Sequence, residues 1–211
     1  MARTAPFEQY PEEYDHWFDK NRQAYRSELG AVSTAIGGLA NGLEIGVGSG
    51  RFAAPLGIAV GVEPSLKIGL LARSRGIKVI RGTAEALPIS GDSFGFVLLV
   101  TTICFLDDMK RSLEEAYRVI KPAGLIVIGL VEKNSALGKY YQAQRNKSPF
   151  YRQASFYSGE EVVQALRQAG FSDFRFNQTL YRPLRDISRI EPVRSGYGQG
   201  AFITVTGSKA A

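Results

Sequence analysis

Glu44-Ile45-Gly46-Val47-Gly48-Ser49-Gly50 is the stretch on which the reading of this chain turns: a short apolar run ending in alternate glycines. A turn without side chains lets the backbone approach a ligand closely, and glycine tolerates the left-handed dihedrals such a turn needs. A second apolar run, GIAVGVE, follows and closes on Glu63, nineteen residues after Glu44. In an open parallel sheet, ligands bind beyond the carboxyl ends of strands where the strand order reverses. A carboxylate at the tip of the second strand can accept both hydrogen bonds from a ribose diol. Turn, spacing and acid together point to a nucleoside-type ligand.

Outward from this stretch the pattern alternates. Residues 1–40 read as a helical cap, with Tyr14, Trp17 and Phe18 at i, i+3 and i+4 and Gly37-Gly38 as a stop. Arg51–Gly57 reads as a short helix, and SLKIGLLARSRG as another, with Ser65 as N-cap and Gly76 as terminator. IKVIRG is a third strand. SFGFVLLVTTICF begins a fourth, an apolar run suited to a strand covered on both faces. An amphipathic helix then ends at Pro122-Ala123-Gly124, and LIVIGLV is a fifth strand. Ser158 and Glu161 form a capping-box pattern before a last helix, and FRFNQTLY and GAFITVTG complete seven strands. Strand and helix alternating at about this spacing predict an α/β sheet wound on both faces. There is no internal repeat or linker, so residues 1–211 read as one domain.

The ligand can be narrowed by charge. The dinucleotide fingerprint G-x-G-x-x-G needs a glycine at position 51, where this chain has Arg51. A carboxylate at Glu44 would repel a pyrophosphate, but could anchor an ammonium or orient the turn. S-adenosylmethionine carries an amino group, a sulfonium and no phosphate, and this charge logic favours it.

Composition sets outer bounds. The 211 residues suffice for one substantial core, no run approaches a membrane span, and the N-terminus lacks the apolar middle of a signal peptide, so a cytoplasmic protein is expected. A single cysteine, Cys104, and a single histidine, His16, disfavour metal and triad chemistry. The net charge of +6 resides from Lys139 onward, where eleven Lys/Arg face five Asp/Glu. That bias suits an anionic or polar acceptor, or a solvated face; nucleic acid is a less favoured partner. Six aromatics, Tyr140, Tyr141, Phe150, Tyr151, Phe156 and Tyr157, are candidates for a substrate lid or for packing of an inserted segment.

Four ordered motifs resemble class I S-adenosylmethionine-dependent methyltransferases of the type-11 group. E-x-G-x-G-x-G at 44–50 is similar to the family's first motif. Gly82-Thr83-Ala84-Glu85-Ala86-Leu87-Pro88 is similar to its G-D-A-E-x-L-P segment, Asp92–Val97 to D-x-F-D-x-V, and Arg118–Gly124 to R-V-L-K-P-G-G. The resemblance covers residues 40–132 and implies a single Rossmann-like, seven-stranded, mostly parallel sheet with the last strand antiparallel. Helices would lie on both faces, with inserts at 134–158 and 182–198 over the substrate side.

The resemblance also implies roles. Glu44 would underpin the turn, Ile45, Gly46, Gly48 and Gly50 would form it, and Glu63 would take the ribose hydroxyls. Pro64, Thr83, Ala84 and Glu85 would border the adenine, and Val100 and Thr101 the sulfonium. Tyr14 and Trp17 would fold over the cofactor. Thr83, Gly95 and Ala123 depart from the family's aspartate, aspartate and glycine. The implied reaction is methyl transfer to a small acceptor, with no general base marked. The rivals are a non-catalytic adenosylmethionine- or RNA-binding module and a nicotinamide-dependent oxidoreductase. The acceptor and the oligomeric state are not encoded in any motif.

Overall fold

The structure is a computed structural model that describes residues 4–211. Three helices lead: α1 (Ala5–Gln9), α2 (Pro11–Lys20) and α3 (Arg22–Ile36), the last closed by Gly37 in the left-handed conformation. Then come β1 (Gly42–Ile45), β2 (Val60–Glu63), α4 (Leu66–Ser74), β3 (Lys78–Arg81), β4 (Phe94–Val100), α5 (Met109–Val119) and β5 (Ile120–Val131). The chain continues through α6 (Ala136–Ala143), α7 (Gly159–Gln168), β6 (Ser172–Thr179), β7 (Arg194–Ser195) and β8 (Phe202–Ser208).

The strands form one sheet in the order β3-β2-β1-β4-β5-β8-β6-β7. The pairs from β3 to β5 are parallel, and β8 runs antiparallel to both β5 and β6. The sheet has eight strands rather than the expected seven. The extra one is β7, two residues of the 182–198 loop that pair with Asn177 and Gln178 of β6. A Pro/Arg-rich loop carries no period-2 pattern, so this short edge strand had no signal in the sequence.

Strand β4 explains the layering. Val97 and Leu99 pack with Leu113, Ala116, Val162 and Leu166 of α5 and α7, whereas Phe96, Leu98 and Val100 pack with Ala31, Val32 and Ile36 of α3 and Ala72 of α4. Alternate side chains enter opposite apolar cores, so every position of the strand must be apolar. The strand order reverses at β1, whose two neighbours are β2 and β4. The carboxyl ends of these three strands are the fold's natural ligand crevice.

Local signals fared unevenly. Ser158 and Glu161 make the full capping box on α7. Asp108 caps α5 by accepting from the Arg111 N–H. Ser65 sits at the N-cap of α4, but its side chain makes no capping bond; the carboxylates of Glu8 and Glu63 serve that helix start instead. Arg51–Gly57 is a run of turns, not a helix.

Two family departures have steric accounts. A Cβ at Gly95 would lie 2.8 Å from the Ala40 carbonyl oxygen, so this chain has no room for the aspartate of the motif it resembles. Ala123, where the family has glycine, adopts φ +60° at the exposed start of β5. An L-residue there is strained by its Cβ. Ala123→Gly should therefore raise unfolding stability by about 0.5–1 kcal/mol, after the added entropy of the unfolded chain is discounted. Urea denaturation tests this, and a lower midpoint at equal slope would contradict the strain account.

Candidate active site

The turn after β1 is built by hydrogen bonds to its neighbour. The N–H groups of Gly46 and Val47 donate to the Val62 carbonyl at 2.8 and 3.1 Å. The Gly48 N–H donates to Glu63 Oε2, and the Ser65 N–H to Glu63 Oε1, both at 2.9 Å. Glu63 is thereby held at the tip of β2, almost fully buried. Burial raises its carboxyl to about 7, against the lowering effect of those two N–H donors. Gly46 has φ +68°, and a Cβ on it would fall 2.6 Å from Thr102 Oγ1. Gly48, at φ +53°, exposes bare backbone between Tyr14 and Ile68.

A cleft of about 80 Å³ opens here. Of the residues anticipated from sequence, Ile45, Gly46, Gly48, Glu63 and Pro64 line one side. Thr83, Ala84, Glu85, Val100, Thr101 and Tyr14 complete it. Three anticipated residues lie elsewhere. Glu44 is buried off the cleft, with the Ala53 backbone N–H donating toward it, and burial raises its carboxyl well above the usual range. It braces the 51–57 turns, so it is not placed to anchor an ammonium in the cleft. Gly50 packs on α4, where a Cβ would lie 3.1 Å from Ala72 Cα. Trp17 belongs to a second cavity. Glu85 lines the cleft, yet its carboxylate accepts from the Asp107 and Asp108 N–H groups and so ties this loop to the start of α5.

Phe7, Thr102, Phe105 and Leu106 also line the cleft and were not anticipated. They lie between or before the recognisable motifs, so no spacing marks them. The Phe7 ring meets those of Tyr14 and Phe105 edge-on at 5.2 and 5.0 Å. These rings narrow the cleft below the several hundred Å³ of an ordinary ligand pocket. The Tyr14 hydroxyl is raised by burial, and a hydrogen bond with Thr101 opposes the shift.

Arg51 clamps the cap to the glycine turn. It makes a bidentate pair with Asp15 at 2.8 and 2.7 Å and reaches Asp19 at 2.9 and 2.7 Å. Arg75 adds bonds to Asp15 Oδ2 (2.8 Å) and to the Ser49 carbonyl (2.7 Å). Partial burial of Asp15 acts upward, but the bonds from Arg51, Ser49 and Arg75 prevail and hold its carboxyl near 2. The position that excluded a dinucleotide fingerprint is thus an anchor for the lid.

A larger cavity of about 420 Å³ adjoins the cleft, and Tyr14, Thr101 and Phe105 border both. Its walls include Trp17, Phe18, Phe52, Tyr141, Phe150, Tyr151, Phe156 and Tyr157, so most of the candidate lid aromatics face it. Tyr140 is instead exposed. The insert's basic residues, Lys139, Arg145, Lys147 and Arg152, are exposed and none lines the cavity. His16 and Lys20 lie at its exposed rim. The 182–198 loop lines neither cavity; the Glu191 N–H donates to Ser27 Oγ and holds the loop against α3. Glu28 of α3 lies in the wall, 4% exposed, and burial raises its carboxyl to about 8. Among the described residues no group of three or more His, Cys, Asp or Glu could hold a metal, and no helix is long and apolar enough to cross a membrane.

Comparison with known proteins agrees with this layout. A family model described as a methyltransferase domain matches residues 43–128. A Methanocaldococcus jannaschii protein of uncharacterized function is 41% identical over 203 residues, spanning 96% of this chain and 98% of its own. A Thermotoga maritima crystal structure, described as a SAM-dependent methyltransferase and possible histamine N-methyltransferase, is 47% identical with a TM-score of 0.94. The match covers 98% of this chain and 99% of that one. A Haemonchus contortus phosphoethanolamine N-methyltransferase 2, solved with S-adenosyl-L-methionine, shares the fold at 16% identity and TM-score 0.62, over 88% of this chain and 53% of its own.

Two expectations follow from the charges. Glu28 and Glu63 have pKa values of about 8 and 7 when folded, against an ordinary 4.5. Their stabilising contribution is complete below about 4.5 and is lost as pH rises through 7 and 8. Asp15 contributes in the opposite sense, above 3.8, and that contribution is lost as pH falls towards 2. Thermal unfolding across pH should therefore show declining stability from about pH 5 to 9, and Glu28→Gln should flatten that decline. Arg51→Met should cost about 1–3 kcal/mol by leaving Asp15 short of partners. Hydrogen exchange in α1 and α2 should accelerate with it, and unchanged exchange there would disprove the clamp.

Proposed function

The chain belongs to the S-adenosylmethionine-dependent methyltransferases, and we propose that its acceptor is a small molecule bound in the aromatic cavity beside the cofactor cleft. The observation that carries this reading is the shared wall. Tyr14, Thr101 and Phe105 border both spaces, so a donor in one and an acceptor in the other would meet there.

The residues of the cleft fit the cofactor in kind. Gly46 and Gly48 present bare backbone at positive φ to the cleft, and Glu63 places a carboxylate at a strand tip for a ribose diol. Among the described residues no lysine, arginine or histidine lines the cleft, as suits a ligand without phosphate. Glu44 lies off the cleft, so the charge argument that rested on it passes to Glu63, the carboxylate that lines the cleft. Phe7 and Tyr14, on the helical cap, must shift for a nucleoside to enter.

When bound, the cofactor supplies a methyl group already activated by a positive sulfur. The protein's task is then mainly to hold acceptor and donor in line and to exclude water. Tyr14, Phe105 and Phe150 close the junction with rings, and Thr101 is held there at φ +51°, an uncommon conformation for a non-glycine residue. Its N–H donates to Gly129 of β5, which keeps the residue after β4 in place. The basic last third of the chain had suggested an anionic or polar acceptor, or a solvated face. With those side chains outside the cavity, the proposal shifts to an acceptor with an apolar, flat body.

Titration with S-adenosylhomocysteine tests the cleft independently of any acceptor. Binding should be detected by calorimetry and weakened tenfold or more by Glu63→Gln, which loses the charge-assisted acceptor. Gly46→Ala should abolish binding, because its Cβ displaces Thr102. Absence of binding at millimolar concentration to the folded wild type would overturn the reading. Binding should also slow proteolysis within α1 as the cap settles on the ligand.

A further inference from the structure

Glu28 is unlike the other buried acids. Glu63 accepts two backbone N–H groups, Glu191 accepts from Tyr181 and pairs with Arg182, and the Ala53 N–H points to Glu44. Glu28 has no hydrogen-bond or ion-pair partner among the described residues. Burial is the only influence on its carboxyl, with no cation near enough to offset it. A carboxyl in that state is costly to the fold, and it lies in the wall of the 420 Å³ cavity rather than within a packed core.

Its surroundings narrow what could compensate it. Tyr25, Tyr141 and Tyr151 feel its charge, and the Tyr141 and Tyr151 rings stack 4.5 Å apart in the same region. Aromatic faces beside a carboxylate attract an organic cation. A metal ion is disfavoured, since among the described residues no group of three or more His, Cys, Asp or Glu could hold one. Ile103, Leu130 and Phe52 also line the interior, while Glu13, His16 and Lys20 stand at the exposed rim, so a cation that reaches Glu28 must carry an apolar body. The volume lies in the range of pockets for small organic ligands.

We propose that this cavity selects a small organic ammonium ion with a flat, apolar body, and that Glu28 is the residue that binds its positive charge. The inference rests on the reading of the cavity as the acceptor site and narrows the acceptor to an amine. Glu28 is then a determinant of charge specificity. Aromatic rings would sort neutral and cationic bodies poorly by themselves, whereas a desolvated carboxylate rejects a carboxylate and favours an ammonium.

The test is a matched set of probes that differ only in charge: phenethylamine, 2-phenylethanol and 3-phenylpropionate. Binding is measured by calorimetry on the full chain saturated with S-adenosylhomocysteine, at a pH of about 8 or above, where Glu28 ionises. The amine should bind at least tenfold tighter than the alcohol, and the acid weakest. In Glu28→Gln, which keeps the size, amine and alcohol should bind alike. Equal binding of amine and alcohol to the wild type, or no amine binding at millimolar concentration, overturns the proposal. A preference that survives in Glu28→Gln overturns the assignment to Glu28. Should that variant not fold, the wild-type ranking still decides the charge preference, and Tyr151→Leu, expected to weaken the amine more than the alcohol, probes the same site. If S-adenosylhomocysteine itself fails to bind, the methyl-transfer reading has failed. If it binds and the amine does not, only the present proposal falls.

Discussion

The hydrogen bond from the Gly48 N–H to the Glu63 carboxylate sets the geometry on which the site depends. It joins the tips of two adjacent parallel strands and fixes a glycine turn against an acid from a different part of the chain. The bond requires Gly48 at positive φ, and the turn requires Gly46 to leave room for Thr102 after β4. Three neighbouring strands thus meet through backbone and one carboxylate. A sheet whose order reverses at β1 leaves the crevice between their ends open to a ligand.

The cap makes this crevice a chamber. Asp15 and Asp19 of α2 converge on Arg51, and Glu8 of α1 accepts from the first N–H groups of α4. These contacts are polar and lie near the surface, beside the apolar packing of Phe18, Tyr14 and Trp17 against the core. Such interactions are individually modest and open at lower free energy than a packed core does. Phe7 and Tyr14 ride on these two helices. Polar contacts of this kind are compatible with a cap that shifts as a cofactor enters, reacts and leaves as product.

The buried acids share one origin and differ in consequence. Burial raises Glu28, Glu44 and Glu63 alike, because a low-dielectric setting penalises the charged form. What separates them is the donor each finds. Glu63 has two amides at the cofactor cleft, Glu44 faces a structural amide, and Glu28 faces a cavity. A fold that tolerates an uncompensated carboxyl lowers its own stability near neutral pH, and such departures from the packing rules concentrate at functional sites.

Much of this was legible in the sequence, because its signals were local. The doubly apolar β4, the glycine turn, Glu63 at a strand tip and the Ser158–Glu161 cap each follow from residue types at short spacing. So does the cofactor class, through motifs that lie in order along the chain. The direction in which a side chain points was not legible. Glu44 and Glu63 look equivalent as acids beside glycines, yet Glu44 lies inside β1 beside the 51–57 turns, whereas Glu63 stands at the tip of β2 and lines the cleft. The basic third of the chain left open an anionic or polar acceptor or a merely solvated face. Helix α6 and the turns after it place the tyrosines inward and the lysines and arginines outward, because only the rings gain by leaving water. Glu28, in a helix read simply as part of the cap, acquired its setting from residues more than a hundred positions away. Sequence determined which elements form and which cofactor they suit; tertiary packing alone decided which charges share a cavity, since burial and facing are properties of segments that the chain's order does not bring together.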